Sequence, residues 1–209
     1  RMAVGEALTN LASAVVEELQ QIKCSANWMW APKLPGEGAA IWDAAVAMKD
    51  VMIKIGIAVD GGKDSLSMAT MVGGETVKSP RELVISLYAA MPDIRKKITP
   101  DLKREDTVLL FIDLSGGKNR LGGSALAQVH SQIGSDSADM DSPDLVKRGF
   151  VAIQELISRG LIDCGHDRSD GGLVTTMLEM AFSGNYGLEI SMEGDASPIE
   201  ALFFEELGY

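Results

Sequence analysis

The sequence predicts a two-lobe chain of α+β and α/β character. Apolar residues recur at spacings of three and four in several stretches, and short apolar runs end at glycines. A polar segment with two prolines, residues 92–107, separates an earlier α+β region from a later one of helices and strands. At 209 residues the chain is long enough for one large or two small domains with a real core. The lobes are expected at residues 1–95 and 96–209.

The elements follow in order. MAVGEALTNLASAVVEELQQI places Val4, Leu8, Leu11, Val15 and Leu19 on one face, which predicts an amphipathic helix over residues 2–22. KCSANWMWAPKLPGEG, broken by two prolines, reads as a loop. AAIWDAAVAMKDVMIKIG predicts a helix that Gly56 terminates. IAVDGG reads as an apolar strand running into a glycine turn, and SLSMATMV and ELVISLYAAM are strand-like. In the second lobe VLLFIDLS predicts a buried strand. Helices are expected within RLGGSALAQVHSQIG, DLVKRGFVAIQELISRG and LVTTMLEMAF, then a strand at GLEISM and a last partial helix.

Nineteen Lys and Arg against thirty Asp and Glu give a net charge of −11. That balance argues against a nucleic-acid backbone or an anionic membrane as the main partner. It leaves room for phosphorylated small molecules, since local amides, lysines and a cation reverse the local field. The two cysteines, Cys24 and Cys164, have no metal-binding spacing, and no apolar run approaches the roughly 18 residues of a membrane span. A reducing, cytoplasmic location is expected. The chain opens inside a helical pattern and stops at FFEELGY, as a piece of a larger protein would.

Three places carry candidate chemistry. VDGGKDSLSM combines glycines with Lys63, Asp64 and Ser65, candidate phosphate or substrate contacts, although a Gly-Gly turn with solvated charges is the plainer reading. Glu6 and Asn10 stand one helical turn apart and could share a hard cation, or simply form a polar surface. GHDRSDGG sets Asp167 and Asp170 before a helix, where a divalent cation would relieve their repulsion. Capping of that helix by Asp170 or Ser169 stands level with it. His166 reads as a satisfied interior histidine, and Trp28 and Trp30 as core or interface.

EALTN, SANWMWAPKLPGEGAA, VDGGKDSLSM, RLGGSALAQ and HDRSDGGLVTTMLEMAF, in this order and over nearly the whole chain, closely resemble the phosphoribosylformylglycinamidine synthase family of the large single-chain type. The resemblance implies part of the second of two AIR-synthetase-like repeats: a partial N-terminal lobe, then a partial C-terminal lobe. It implies a ligase of purine biosynthesis that converts formylglycinamide ribonucleotide to the amidine with ATP and glutamine-derived ammonia. Partners within the same chain would be the first repeat and a glutaminase domain, whose nucleophilic cysteine neither Cys24 nor Cys164 matches. By the same resemblance Glu6, Asn10 and Asp167 are magnesium ligands and Ser169 a nucleotide contact. These resemble the structural nucleotide site of the family, so no catalytic residue is assigned and the segment alone is expected to be inactive. Ala26 stands where the family pattern has glycine, which implies a slightly altered loop. Two other readings are another AIR-synthetase-like ATP-using enzyme and a non-catalytic structural nucleotide-binding module.

Overall fold

The computed structural model describes residues 1–191 and 197–209. It divides into two compact units, one of Arg1, Ala3 and residues 16–90, the other of Met2, residues 4–15 and residues 91–209. The first helix, α1 (Met2–Leu11), thus belongs almost wholly to the second unit.

The first unit holds β1 (Lys23–Met29), α2 (Glu37–Ile55), β2 (Ala58–Ser65), β3 (Ala69–Val72), β4 (Glu75–Lys78) and β5 (Glu82–Tyr88). β1 is the middle strand of a three-stranded sheet, parallel to β2 and antiparallel to β5, while β3 and β4 form a separate antiparallel pair. Ile22, Cys24, Ala26, Trp30, Val51, Met52, Ile55 and Ile57 are buried. As expected, α2 stops where Gly56 takes a left-handed conformation, φ 94°, which costs glycine little.

Two expectations fail here for physical reasons. The supposed loop at residues 23–38 contains the central strand, and its periodicity is masked because both faces of KCSANWM are at least half covered. The glycines of VDGGKDS do not turn the chain: β2 continues through them, with a register shift against β1 at Asp60. Gly62 is needed for close approach, since a Cβ there would collide with the Ala26 carbonyl and lie 3.2 Å from its nitrogen. Ala26 itself is extended, within β1, so its methyl group meets no left-handed strain.

In the second unit α3 (Ala125–Val129), α4 (Pro143–Ser158), α5 (Gly172–Gly184) and α6 (Pro198–Phe203) follow. The Ser142 hydroxyl accepts from Leu145 N at 3.3 Å and Pro143 opens the helix, so α4 begins as sequence rules require. Its Val146, Phe150, Ile153 and Ile157 are buried at helical spacing. The expected 2–22 helix is cut at Leu11, because the backbone beyond it is claimed elsewhere. Gln154 of α4 donates to the carbonyls of Ala12 and Ala14 at 2.8 and 3.0 Å. Val15 N donates to Lys96 O and Ile98 N to Ser13 O.

VLLFIDLS forms no regular strand. Among the described residues its long-range backbone bonds are those of Ile112 with residue 209 and Leu114 with residue 207, and Val108 is 93% exposed. With a single short partner the ladder stops after one bridge, Asp113 to Gly208. Residues 187–191 of the expected GLEISM strand are likewise irregular, and Met192 lies outside the described residues. No described helix is long and apolar enough to cross a membrane.

Candidate functional site

Glu6 and Asn10 lie on the solvent side of α1, whose opposite face buries Val4 and Leu8. The helix lies close on its own unit: a Cβ on Gly5 would come within 2.7 Å of Met140 Cε and strike Leu207. Thr9 Oγ1 and Asn10 Nδ2 both donate to the Glu6 carbonyl, at 2.9 and 3.0 Å. Using its nitrogen this way, Asn10 offers its amide oxygen to anything outside the helix.

Asp167 is 8% exposed, and α5 fixes it through main chain and side chain together. Thr176 Oγ1 donates to its carbonyl at 3.1 Å, and the His166 ring lies 3.2 Å from Oδ1. His166 spans to Glu179 on its other nitrogen at 2.8 Å, and the Asp167 carboxylate beside it raises its pKa against the effect of burial. It is the satisfied histidine the sequence suggests.

The charges of the 165–172 loop are felt at Glu6. The surrounding protein raises its pKa above the usual carboxylate value, and the negative charges of Asp170 and Asp167 raise it further. Three carboxylates from α1 and the 165–172 loop therefore share one field, the condition that a cation relieves. All the offered donors are oxygens, as a hard divalent ion requires. Among the described residues no three His, Cys, Asp or Glu side chains are gathered tightly enough to hold a metal by themselves. A cation there needs further oxygens, from Asn10, water or a phosphate.

Neither Asp170 nor Ser169 caps α5. The N-cap is Gly171, at φ 85° and without a side-chain cap bond, and Gly172 follows at φ 74°. The turn closes through Gly172 N to Ser169 O at 3.0 Å. The Gly171 amide goes instead to Glu205 Oε1, 2.7 Å away. Ser169 is half-buried in this turn, beside the exposed Asp170. Lys63, Asp64 and Ser65 sit on β2 of the first unit, where Lys63 Nζ donates to Ser65 Oγ at 3.2 Å.

The sequence reading passed over Arg168 and the 204–209 segment. Arg168 is 1% exposed, with its guanidinium between the rings of Phe204 and Phe111, 3.9 and 4.8 Å from their centroids. It donates to the carbonyls of Glu206 and, at 3.0 Å, Leu207. Burial lowers its pKa to about 10, against the pull of Asp113 and Glu206, so it remains charged at neutral pH. The signal was the pattern FFEELGY, in which Phe204, Glu206 and Gly208 alternate along an extended chain rather than continuing α6.

Residues 103–209, more than half of the chain, match the model of the AIR synthase related protein, C-terminal domain. The chain belongs to the AIR synthase related family. Residues 1–90 match the FGAR-AT PurM_N-like domain. Among curated relatives, the chain is 56% identical to an Arabidopsis thaliana protein named as a probable chloroplastic/mitochondrial phosphoribosylformylglycinamidine synthase, covering all of this chain and 15% of that protein. It is 54% identical to the Homo sapiens phosphoribosylformylglycinamidine synthase, over all of this chain and 16% of the relative. The chain thus spans about one-sixth of the length of these relatives. Among solved structures, T. maritima PurL complexed with ATP aligns with a TM-score of 0.57 at 16% identity, over 99% of this chain and 31% of that one. At that identity the likeness is one of fold, and it fits the mixed α/β family architecture.

Proposed function

We propose that this AIR synthase related chain is a segment of a phosphoribosylformylglycinamidine synthase and supplies part of a magnesium–nucleotide site. Glu6, Asn10 and Asp167 would hold the ion, and Ser169 would contact the nucleotide. The observation that carries this reading is that α1 and the 165–172 loop seat on the same segment, Gly5 against Leu207 and Arg168 N donating to Gly208 O at 3.0 Å. Burial, and then the charges of Asp170 and Asp167, raise the Glu6 carboxyl in keeping with it. The whole-length identity to synthases supports the parent activity: formylglycinamide ribonucleotide, ATP and glutamine-derived ammonia giving the amidine, with the first repeat and a glutaminase domain in the same protein. Nucleotide binding is supported further by the PurL neighbours, titled as complexes with ATP and AMPPCP.

The residues have distinct tasks. The ion, when bound, would neutralise nucleotide phosphate oxygens. Asp167, held by Thr176 and His166, presents a fixed carboxylate, while Glu6 presents a carboxylate and Asn10 an amide oxygen from a helix whose Gly5 lies close against Leu207. The site holds a nucleotide in place rather than moving protons, so the chain contributes no catalytic residue. Lys63, Asp64 and Ser65 remain candidate phosphate or substrate contacts, supported by the exposure of Lys63 and Asp64 on β2, with Ser65 half-buried beside them. The lobes in this reading are 1–95 and 96–209, and the family models leave the gap between residues 90 and 103 for their junction. A cytoplasmic location is supported by two unpaired cysteines.

Calorimetry with ADP and magnesium on the full-length protein tests the reading. Asp167→Ala is expected to weaken binding about tenfold or more, roughly 1.4 kcal/mol. Unaltered binding in that variant rejects the assignment.

A further inference from the structure

One carboxylate of the second unit has a place that the proposed ion site leaves unused. Glu205 Oε1 accepts from two backbone amides at once, Gly171 N at 2.7 Å and Ala125 N at 2.8 Å. Gly171 closes the HDRSDGG loop that carries Asp167 and Ser169. Ala125 follows the two glycines of RLGGSALAQ and is the first residue of α3. These loops are far apart in sequence, and a single oxygen joins them.

The neighbouring residues of the segment are held by contacts of their own. Glu206, fully buried, turns the other way to Arg120, accepting from Nη2 at 2.8 Å and from the Arg120 amide at 3.3 Å. Phe204 lies under Arg168 of the HDRSDGG loop, and Arg168 N donates to Gly208 O at 3.0 Å. The Tyr209 hydroxyl meets Ser13 Oγ at 2.7 Å, just beyond α1. The segment is therefore held by contacts other than those of Glu205, some of them to Arg168 of the 165–172 loop and others to Arg120 and Ser13, and the Glu205 side chain adds a bond to each loop.

We propose that Glu205 is a positioning residue that couples the 121–125 loop to the 165–172 loop, so that the two open and close as one element. Negative charge at the starts of two helices makes both bonds charge-assisted. Without the carboxylate, Gly171 and Ala125 lose their acceptor, and the turn that presents Ser169 and Asp167 loses its outer anchor. The consequence for ligand binding rests on the nucleotide site proposed above, whereas the coupling itself does not.

Amide hydrogen exchange on the full chain, read at single residues, tests the coupling. In Glu205→Ala the Gly171 and Ala125 amides should lose protection together, by about tenfold or more, the scale for an orphaned amide. Amides within α4, such as Phe150 and Ile153, should keep theirs and so report that the unit is folded. Glu205→Gln, which retains one acceptor oxygen, should restore most of the protection. Loss at Gly171 alone, or loss at neither, overturns the proposal. In the full-length protein Glu205→Ala should also weaken magnesium-dependent ADP binding about tenfold, with Glu205→Gln close to wild type. Binding equal to wild type while both amides are open overturns the functional part. A wild-type protein that binds no ADP refutes the nucleotide site, and the exchange result still decides the coupling.

Discussion

The Arg168 guanidinium carbon stands 3.9 Å from the centre of the Phe204 ring, and that contact fastens the candidate metal loop to the last segment of the chain. Removing the side chain in Arg168→Ala leaves the Glu206 carbonyl without its donor, about 1–3 kcal/mol. It also removes a desolvated cation–aromatic contact of about 2 kcal/mol. The sum places the expected loss at about 3–5 kcal/mol in urea unfolding. Arg168→Lys should recover little of it, because an ammonium cannot reach two carbonyls while lying flat between two rings.

Gly172 should tolerate no side chain. Its φ is 74°, and a Cβ would come within 2.7 Å of the Leu202 carbonyl oxygen and the Phe203 carbonyl carbon. Both obstacles are backbone, so neither yields by a rotamer change. Gly172→Ala is expected to lower stability by about 1–3 kcal/mol, the cost of strain at such a position. Thermal unfolding measures it, with Gly187→Ala, whose Cβ meets nothing, as the unaffected control.

The first unit should have its own acid dependence. Arg81 and then Lys78, bonded to the buried Glu37 carboxylate, hold its pKa down to about 2. A carboxylate depressed in the folded state contributes stability that is complete above its unfolded value, near 4.5, and is lost as pH falls toward 2. All three tryptophans lie in this unit, and Trp30 Nε1 donates to the Glu37 carbonyl at 3.1 Å. The urea midpoint read by tryptophan fluorescence should therefore fall between pH 5 and 2. Glu37→Gln should be less stable at neutral pH and flatter across that window.

How much was legible depended on whether a residue answers to its neighbours in sequence or to distant ones. α2 was readable because Gly56 ends it locally, and α4 because its apolar residues recur at regular helical spacing. The end of α1 was not, because Gln154, 142 residues from Ala12, takes the carbonyl that would have continued the helix. β1 was hidden by its coverage on both faces. At the candidate site, Glu6, Asn10 and Asp167 could be named from motif resemblance and from the oxygen chemistry a hard cation requires. The role of Asp170 could not be separated from capping by sequence, since only the fold makes Gly171 the N-cap and directs its amide to Glu205. Arg168, Glu205 and Glu206 work through partners 34 to 86 residues away, and apart from the pattern FFEELGY nothing in their own surroundings signals it.

The central claim is that Glu6 and the 165–172 loop share a cation. The titration of the Glu6 carboxyl, followed by carbon NMR with and without magnesium, tests it most directly. Without metal the carboxyl should titrate above the usual carboxylate range, and Asp170→Asn should bring it partway down. Added magnesium should lower it further than added sodium at equal ionic strength, and Asp167→Asn should abolish that difference. A Glu6 titration that magnesium leaves where sodium leaves it would contradict the site.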